Sequence, residues 1–142
     1  MAPITRITRL AFVNAYLVDE DDGLTLVDTT LPRSAKAILA EAGRLGKPIV
    51  RIALTHAHGD HIGSLDELAA ALPGAEVSIS ERDARLMAGD KTLDPGEPQA
   101  KLRGSYPGAK TRPHRTLSPG DRVGSLEVVA SPGHTPGHIS FL

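Results

Sequence analysis

The sequence contains no cysteine, and aromatic residues make up only 3% of its 142 residues. Without cysteine, the chain cannot form disulfides, thiolate metal sites, iron–sulfur clusters or a cysteine nucleophile. Any bound metal ion must therefore be held by histidine, aspartate or glutamate. The scarcity of aromatic residues leaves the core to Leu, Val, Ile and Ala, and gives base-stacking recognition of nucleic acids little to work with.

Neither sign of charge is in large excess, and no apolar run is long. Sixteen Lys and Arg stand against 17 Asp and Glu, so no broad field attracts nucleic acid or an anionic membrane. The longest apolar runs fall short of the roughly 18 residues that a membrane span needs. The first ten residues also lack the continuous apolar stretch of a secretory signal. We therefore expect a cytoplasmic protein without nucleic-acid or membrane partners.

Length and composition predict a single domain over residues 1–142. Alternating apolar residues predict strands, and apolar residues spaced three and four apart predict helices. The resulting order, ββα, βα, βα and then ββ, indicates an α/β fold in which a mixed sheet packs against helices. The predicted strands are 13–18, 24–27, 49–54, 77–80, 126–130 and 138–142, and the predicted helices begin at Pro32, Ser64 and Ser80.

Local signals refine these predicted elements. Ser64 and Glu67 have the spacing of a capping box, Ser80 is a suitable N-cap, and Gly43 or Gly46 is expected to end the first helix. Residues 89–116 are rich in Gly, Pro, Lys and Arg and show no periodicity. We predict that this stretch is an irregular excursion that lies over a site as a lid.

Three of the six histidines fall in the segment T-H-A-H-G-D-H, directly after a predicted buried strand. His56 and His58 are two residues apart on extended chain, so their side chains leave the same side of the backbone. Asp60 and His61 follow where a helix begins. Crowded imidazoles repel one another as cations, whereas neutral imidazoles are stabilised as ligands of a metal ion. The segment therefore predicts a metal site at a strand end.

The segment H-A-H-G-D-H resembles the H-x-H-x-D-H signature of the metallo-β-lactamase-fold hydrolases. The segments N-A-Y-L-V, L-V-D-T-T, L-S-P-G-D and S-P-G-H-T-P-G-H-I-S resemble further segments of that family in the same order. Thr30 stands where the family usually has glycine. The resemblance covers nearly the whole chain apart from the irregular 89–116 stretch. It implies that the chain corresponds to the N-terminal half of an αββα sandwich.

The resemblance also implies a set of metal ligands and an activity. His56, His58 and His134 correspond to ligands of a first metal ion, and Asp60 and His61 to ligands of a second. Asp60 is the candidate catalytic residue, as a ligand that can also receive a proton. One or two Zn2+ ions are expected, although Fe and Mn suit the same ligands. The family activates water on the metal to hydrolyse small-molecule substrates, here a thioester, lactone or similar ester.

The family pattern continues past the segment that ends at Leu142, with a bridging aspartate and a further histidine that complete the second metal site. We therefore expect a domain truncated at its C-terminus, with weak or no hydrolase activity on its own. Two alternatives remain: a non-catalytic metal-binding half-domain that self-associates, and an iron-dependent persulfide-oxidising enzyme on the same fold. A homodimer through the exposed sheet would place the contact near Leu126, Val128, Ile139 and Phe141.

Other polar residues carry weaker signals. Asp28, at a predicted strand end, would either orient a metal-bound histidine or make a local turn bond. His138 is expected to make a structural hydrogen bond, and His114 to be a solvated surface residue. A basic group in the irregular stretch would receive an anionic substrate or simply be solvated. This group consists of Lys101, Arg103, Lys110, Arg112 and Arg115.

Overall fold

The computed structural model describes residues 2–142 of the chain. Most of the strands form one six-stranded sheet with the order β1-β2-β3-β4-β5-β6. These strands are β1 (Ile4–Arg9), β2 (Val13–Glu20), β3 (Gly23–Val27), β4 (Ile49–Ala53), β5 (Glu76–Ser80) and β6 (Arg115–Leu117). A second sheet contains β7 (Arg122–Val123), β8 (Leu126–Ala130) and β9 (Ile139–Phe141). The helices are α1 (Ala35–Leu45), α2 (Gly59–Ile62), α3 (Leu65–Ala71) and α4 (Glu81–Met87).

The large sheet is mixed. Strands β1, β2 and β3 pair antiparallel, whereas β3, β4, β5 and β6 pair parallel. Each parallel step needs a crossover, and the helices and the long 88–114 segment provide it. Because parallel strands point the same way, the segments that follow β3, β4 and β5 all leave from one edge of the sheet. This edge is where α/β folds place their sites.

The core lies on both faces of the large sheet. Leu26, Ile52 and Ile79 face the helices and pack in one cluster with Ile38 and Leu68. On the opposite face Ala53, Leu117, Val123, Val128 and Ile139 form a smaller cluster that joins the two sheets. The alternation along β3 and β4 follows from the two-residue period of a strand, which sends successive side chains to opposite layers. The predicted α/β class with a mixed sheet is confirmed.

All six predicted strands are present, but three further strands were not predicted. Strand β1 has only one buried residue, Ile7, so its sequence carries little apolar signal at this edge of the sheet. Strand β6 lies inside the stretch predicted to be irregular, and its three residues owe their conformation to pairing with β5. Strand β7 has two residues and pairs with β8. Pairing with a partner strand defines all three: β1 and β7 are arms of hairpins with β2 and β8, and β6 pairs with the more distant β5.

The local signals correctly predicted the end of α1 and the N-cap of α4, but they were wrong for the start of α1 and for the capping box of α3. Gly46 ends α1 in the left-handed conformation with φ 73°, and Ser80 accepts a hydrogen bond from the amide of Asp83 at 3.2 Å. Helix α1 begins at Ala35, three residues after Pro32. The predicted capping box does not form, because the Ser64 hydroxyl accepts from the amide of Ser34 at 2.8 Å, and donates to the carbonyl of Leu31 at 2.6 Å, instead of accepting from its own helix.

The second sheet covers the face on which a homodimer contact was predicted. Val128, Ile139 and Leu126 are buried within the chain itself, and Phe141 is half-buried against the smaller cluster and against Val18, Val27 and Leu126. These side chains are covered by the chain's own elements, because β7, β8 and β9 fold back over the large sheet. The homodimer through the sheet stays a prediction. No helix within residues 2–142 is long and apolar enough to cross a membrane.

Candidate metal centre

Three histidines converge at the sheet edge where β4 ends. His56 and His58 lie between β4 and α2, and His134 lies in the loop between β8 and β9. One ring nitrogen from each falls within 4.8 Å of the other two. His58 Nδ1 and His134 Nε2 are 3.0 Å apart. His56 and His58 are buried, whereas His134 is exposed, so the group opens toward solvent on one side.

The protonation state of His56 follows from its hydrogen bonds. Asp28 Oδ2 can only accept, so the Thr55 hydroxyl donates its one proton to it at 2.7 Å. The Thr55 oxygen must then accept from His56 Nδ1, 2.7 Å away. This relay places the ring proton of His56 on Nδ1 and leaves the lone pair on Nε2. Burial, with the neighbouring histidines, lowers the pKa of His56 to about 2, so the ring is neutral at ordinary pH.

A bound metal ion would account for the unpaired nitrogen of His56. His56 Nε2 is buried and has no hydrogen-bond partner among residues 2–142. A buried polar atom without a partner is unfavourable by about 1–3 kcal/mol. Two ligands of one tetrahedral zinc ion lie about 3.3 Å apart, close to the separation of the His58 and His134 nitrogens. Three imidazoles in this arrangement fit a divalent metal ion.

His61 and Asp60 lie beside this group. The rings of His56 and His61 have centroids 4.1 Å apart, and His61 Nδ1 is 2.7 Å from Asp28 Oδ2. Burial opposes protonation of His61, but the hydrogen bond and charge of Asp28 outweigh it and raise the pKa of His61. Asp60 is exposed, with Oδ1 3.7 Å from His61 Nε2. Their assignment as ligands of a second ion stays a prediction.

Asp28 therefore acts through long-range contacts and not only through a local turn. Its carboxylate accepts from the amide and hydroxyl of Thr55 and contacts His61, which lies 33 residues away. Its backbone has φ 63°, a left-handed conformation in which Asp is one of the better tolerated residues. Of the two interpretations left open by the sequence, the one in which Asp28 orients histidine side chains has the geometric support.

Asp83 is a buried carboxylate that sequence reasoning missed. It is fully buried at the start of α4 and accepts from the amide of Ala57 at 2.9 Å, the amide of Gly137 at 2.8 Å and the hydroxyl of Thr135 at 2.7 Å. These donors flank His56 on one segment and His134 on the other. Asp83 therefore ties together the two loops that carry the three histidines.

The 88–114 segment covers the His58 side of the centre. The carbonyl oxygen of Arg103 is 2.9 Å from His58 Nε2, and the amide of Gly59 donates to the carbonyl of Ser105 at 2.9 Å. The Tyr106 ring lies against the His58 ring, with centroids 4.7 Å apart. The predicted position of this stretch over a site is confirmed. A cavity of about 1210 Å³ opens between this segment, Asp60 and His134, which is ample for a small-molecule substrate.

The remaining candidates fall outside the three-histidine group. His138 Nδ1 is 2.8 Å from the Ser131 hydroxyl, the structural hydrogen bond that was expected. His114 is exposed as predicted, but it also accepts a hydrogen bond from the amide of Val77 at 3.0 Å. Of the basic group only Lys101 and Arg103 line the cavity; Lys110, Arg112 and Arg115 lie elsewhere.

One weak signal existed for the missed contacts. Asp83 stands three residues after Ser80, which is typical of a helix start and suggests nothing beyond capping. The Asp83 carboxylate points inward because it accepts hydrogen bonds from Ala57 and Thr135. These residues lie 26 and 52 positions away in the sequence, so a local pattern does not reveal the contact. The Arg103 contact uses a main-chain carbonyl, which leaves no trace in residue type.

Comparisons with known proteins agree with this geometry. The model of the Metallo-beta-lactamase superfamily matches residues 8–142. The uncharacterized protein YobT of Bacillus subtilis (strain 168) is 51% identical over 131 residues, which cover 92% of this chain and 56% of that protein. A hydroxyacylglutathione hydrolase of Gloeobacter violaceus is 33% identical over 132 residues, covering 90% of this chain and 43% of that enzyme.

A solved structure shares the same architecture. BJP-1, a subclass B3 metallo-beta-lactamase of Bradyrhizobium japonicum, is similar with a TM-score of 0.77 and 31% sequence identity. The match covers 99% of this chain and 53% of that one. The chain thus spans about half the length of the curated relatives and of the solved structure that it matches.

Proposed function

The chain belongs to the Metallo-beta-lactamase superfamily, and on that premise we propose that it contributes the three-histidine metal site of a metal-dependent thioester hydrolase. The observation that carries the proposal is the buried and unpartnered Nε2 of His56, which stands beside the ring nitrogens of His58 and His134. A nitrogen lone pair of a neutral imidazole that is shielded from water and from hydrogen-bond donors is suited to bind a metal ion.

His56, His58 and His134 would hold the ion, with Asp60 and His61 beside it for a second one. When bound, a divalent ion supplies Lewis-acid polarisation of a carbonyl and an activated water molecule. Zinc, iron and manganese all suit these ligands. Asp28 orients the His56 ring through Thr55 and contacts His61 directly, and Asp83 holds together the loops that carry the histidines. Asp60, exposed at the cavity wall, is placed to receive a proton released during hydrolysis.

Two observations favour a thioester of glutathione as the substrate class. Relatives named hydroxyacylglutathione hydrolase match nine-tenths or more of this chain. Glutathione carries two carboxylates, and Lys101 and Arg103 line the cavity with side chains that make no ion pair within residues 2–142. A cationic cavity wall raises the local concentration of an anionic substrate.

Metal binding is the first test of this proposal. Zinc affinity would be measured by competition with a chromophoric chelator for the chain, for His134→Ala and for His114→Ala. We expect one tightly bound ion in the chain, a loss of tight binding in His134→Ala, and wild-type affinity in His114→Ala because His114 lies outside the site. Equal affinity in all three proteins would contradict the proposed site.

The substrate class needs a separate assay. The zinc-loaded chain would be offered a hydroxyacylglutathione thioester and a chromogenic β-lactam, with His134→Ala as the inactive control. We expect thioester turnover in the zinc-loaded chain and none in the control, because His134 is one of the three proposed ligands. Turnover of the β-lactam without turnover of the thioester would make the substrate assignment wrong.

A further inference from the structure

We propose that the Arg103–Gly104 peptide is a positioning element that sets the tautomer of His58 and thereby strengthens the metal site. The inference rests on the proposed metal site and concerns the 88–114 segment, which the proposed function treats only as a cover over the cavity. This segment, called the cover below, is hydrogen-bonded to the proposed metal ligand His58. The affinity for metal therefore depends on the position of the cover.

The hydrogen bond at His58 determines where the ring proton sits. The Arg103 carbonyl oxygen can only accept, and it lies 2.9 Å from His58 Nε2, so that nitrogen must carry the proton. A neutral ring then keeps its lone pair on Nδ1. That atom is the one that faces His134 Nε2, 3.0 Å away, in the three-histidine group. The carbonyl therefore selects the tautomer whose lone pair points into the site.

Gly104 makes this close approach feasible. Its backbone has φ +91°, a conformation that side chains disfavour, and a Cβ built there would lie 2.5 Å from His58 Nε2. The neighbouring peptide docks on the same loop, because the amide of Gly59 donates to the carbonyl of Ser105 at 2.9 Å. Tyr106 then stacks its ring against His58. Consecutive residues of the cover thus contact His58 or the residue after it.

The cover is also attached to the rest of the chain on both sides of this contact. On one side Arg82 pairs with Glu97, with Nε 2.8 Å from Oε2. On the other side Asp66 accepts from the amides of Lys110 and Thr111 at 3.0 and 2.8 Å. These attachments hold the Arg103 carbonyl in a fixed place before any metal ion binds. A preset acceptor of this kind removes the need to orient the ring during binding.

The sharpest test compares two glycines of the same segment. Gly96 has φ +89°, nearly the same backbone conformation as Gly104, but a Cβ at Gly96 meets no atom within 4 Å. Gly96→Ala therefore reports backbone strain alone, whereas Gly104→Ala adds the collision with His58. Zinc affinity would be measured by chelator competition, and unfolding of the metal-free proteins would be followed in urea.

We expect Gly104→Ala to weaken zinc binding by about 10–100-fold, the usual effect of losing a partner behind a metal ligand, while Gly96→Ala keeps wild-type affinity. An equal loss of zinc affinity in the two variants would show that backbone strain and not contact with His58 is responsible. No loss of zinc affinity in either variant would show that the contact is unimportant. Either result would overturn the inference.

A second readout does not require metal or a folded variant. Nitrogen-15 correlation spectra of the metal-free wild-type chain distinguish the two histidine tautomers. We expect His58 to be protonated at Nε2, and protonation at Nδ1 would overturn the inference. If the wild-type chain bound no zinc while His58 kept the Nε2 proton, the proposed function would fail and the positioning contact would stand.

Discussion

Two groups of residues lie on opposite sides of the candidate metal centre, and they differ in burial and in the number of their polar contacts. We call them the floor and the roof. The floor consists of Asp28, Asp83 and the main chain of residues 55–57 and 135–137; its carboxylates are buried, and each makes three polar contacts. The roof consists of residues 93–107, part of the 88–114 segment; it is largely exposed, and it contacts His58 through the Arg103 carbonyl and the Tyr106 ring. The same centre is therefore held by buried carboxylates on one side and by a largely exposed segment on the other.

The difference suggests that the floor and the roof affect different properties of the metal site. A buried carboxylate with several hydrogen bonds strongly favours one arrangement, because each unmade bond leaves a desolvated group. The ion pairs of the roof, such as Arg82–Glu97, are only partly buried and contribute less than the buried carboxylates do. We infer that the floor holds the three histidines together and that the roof adjusts the affinity of the site for a metal ion.

The largest expected effect is at Asp83 in the floor. Asp83→Asn keeps the side-chain size but removes the charge and turns one acceptor into a donor, which leaves at least one of the Ala57 and Gly137 amides unpaired. We expect the free energy of unfolding in urea to fall by about 2–3 kcal/mol. Asp90→Asn is the matched control, since Asp90 also accepts a main-chain hydrogen bond but is exposed. Equal losses would show that burial of the carboxylate is immaterial.

The next effect concerns the relay from Asp28 through Thr55 to His56. Thr55→Val preserves the side-chain shape and removes the hydroxyl, so His56 Nδ1 loses its acceptor and its tautomer is no longer set. We expect zinc affinity to fall by about 10-fold or more, measured by chelator competition. Thr116→Val, at an exposed position of β6, should leave the affinity unchanged. Unaltered affinity in Thr55→Val would break the claim that the floor orients the ligands.

A smaller effect of opposite sign is expected at Thr30, beside the floor. Thr30 is fully buried, has φ 57°, and its hydroxyl has no hydrogen-bond partner within residues 2–142. A β-branched residue is strained in this conformation. We expect Thr30→Gly to raise the free energy of unfolding by about 1 kcal/mol, as measured in urea. A loss of stability would mean that the buried methyl group outweighs the strain.

The smallest effect is in the roof and depends on pH. The hydrogen bond from Arg82 lowers the pKa of Glu97 to about 2, from a usual 4.5. A lowered carboxyl pKa stabilises the fold above pH 4.5, and this contribution disappears as the pH falls toward 2. The stability difference between the wild type and Glu97→Gln should be about 0.2–1 kcal/mol at neutral pH and vanish near pH 2. A difference that grows on acidification would contradict this assignment.

The parts of the molecule that sequence predicts well are those with local signals. Strand alternation predicted β2, β5 and β8, and the clustering of His56 and His58 after β4 follows from their spacing in the sequence. The meeting of His134 with them was expected only through the family resemblance, because it joins segments 76 residues apart.

The parts that sequence could not predict depend on long-range contacts. The inward turn of Asp83 requires Ala57 and Thr135, and the Arg103 contact involves only a main-chain atom at the His58 ring. Ser64 fits a capping box by pattern, but its hydroxyl accepts from the amide of Ser34 and donates to the Leu31 carbonyl, both in a different segment of the chain. Residue type alone does not distinguish these competing partners.

X-ray absorption spectroscopy of the zinc-loaded chain tests most directly whether three histidines hold one ion. The account predicts a first shell with three imidazole nitrogens at about 2.0–2.1 Å and one further light ligand. It also predicts that His134→Ala removes one imidazole from that shell, while His114→Ala leaves the spectrum unchanged. A shell with fewer than three imidazoles in the wild-type chain, or a spectrum insensitive to His134→Ala, would contradict the account.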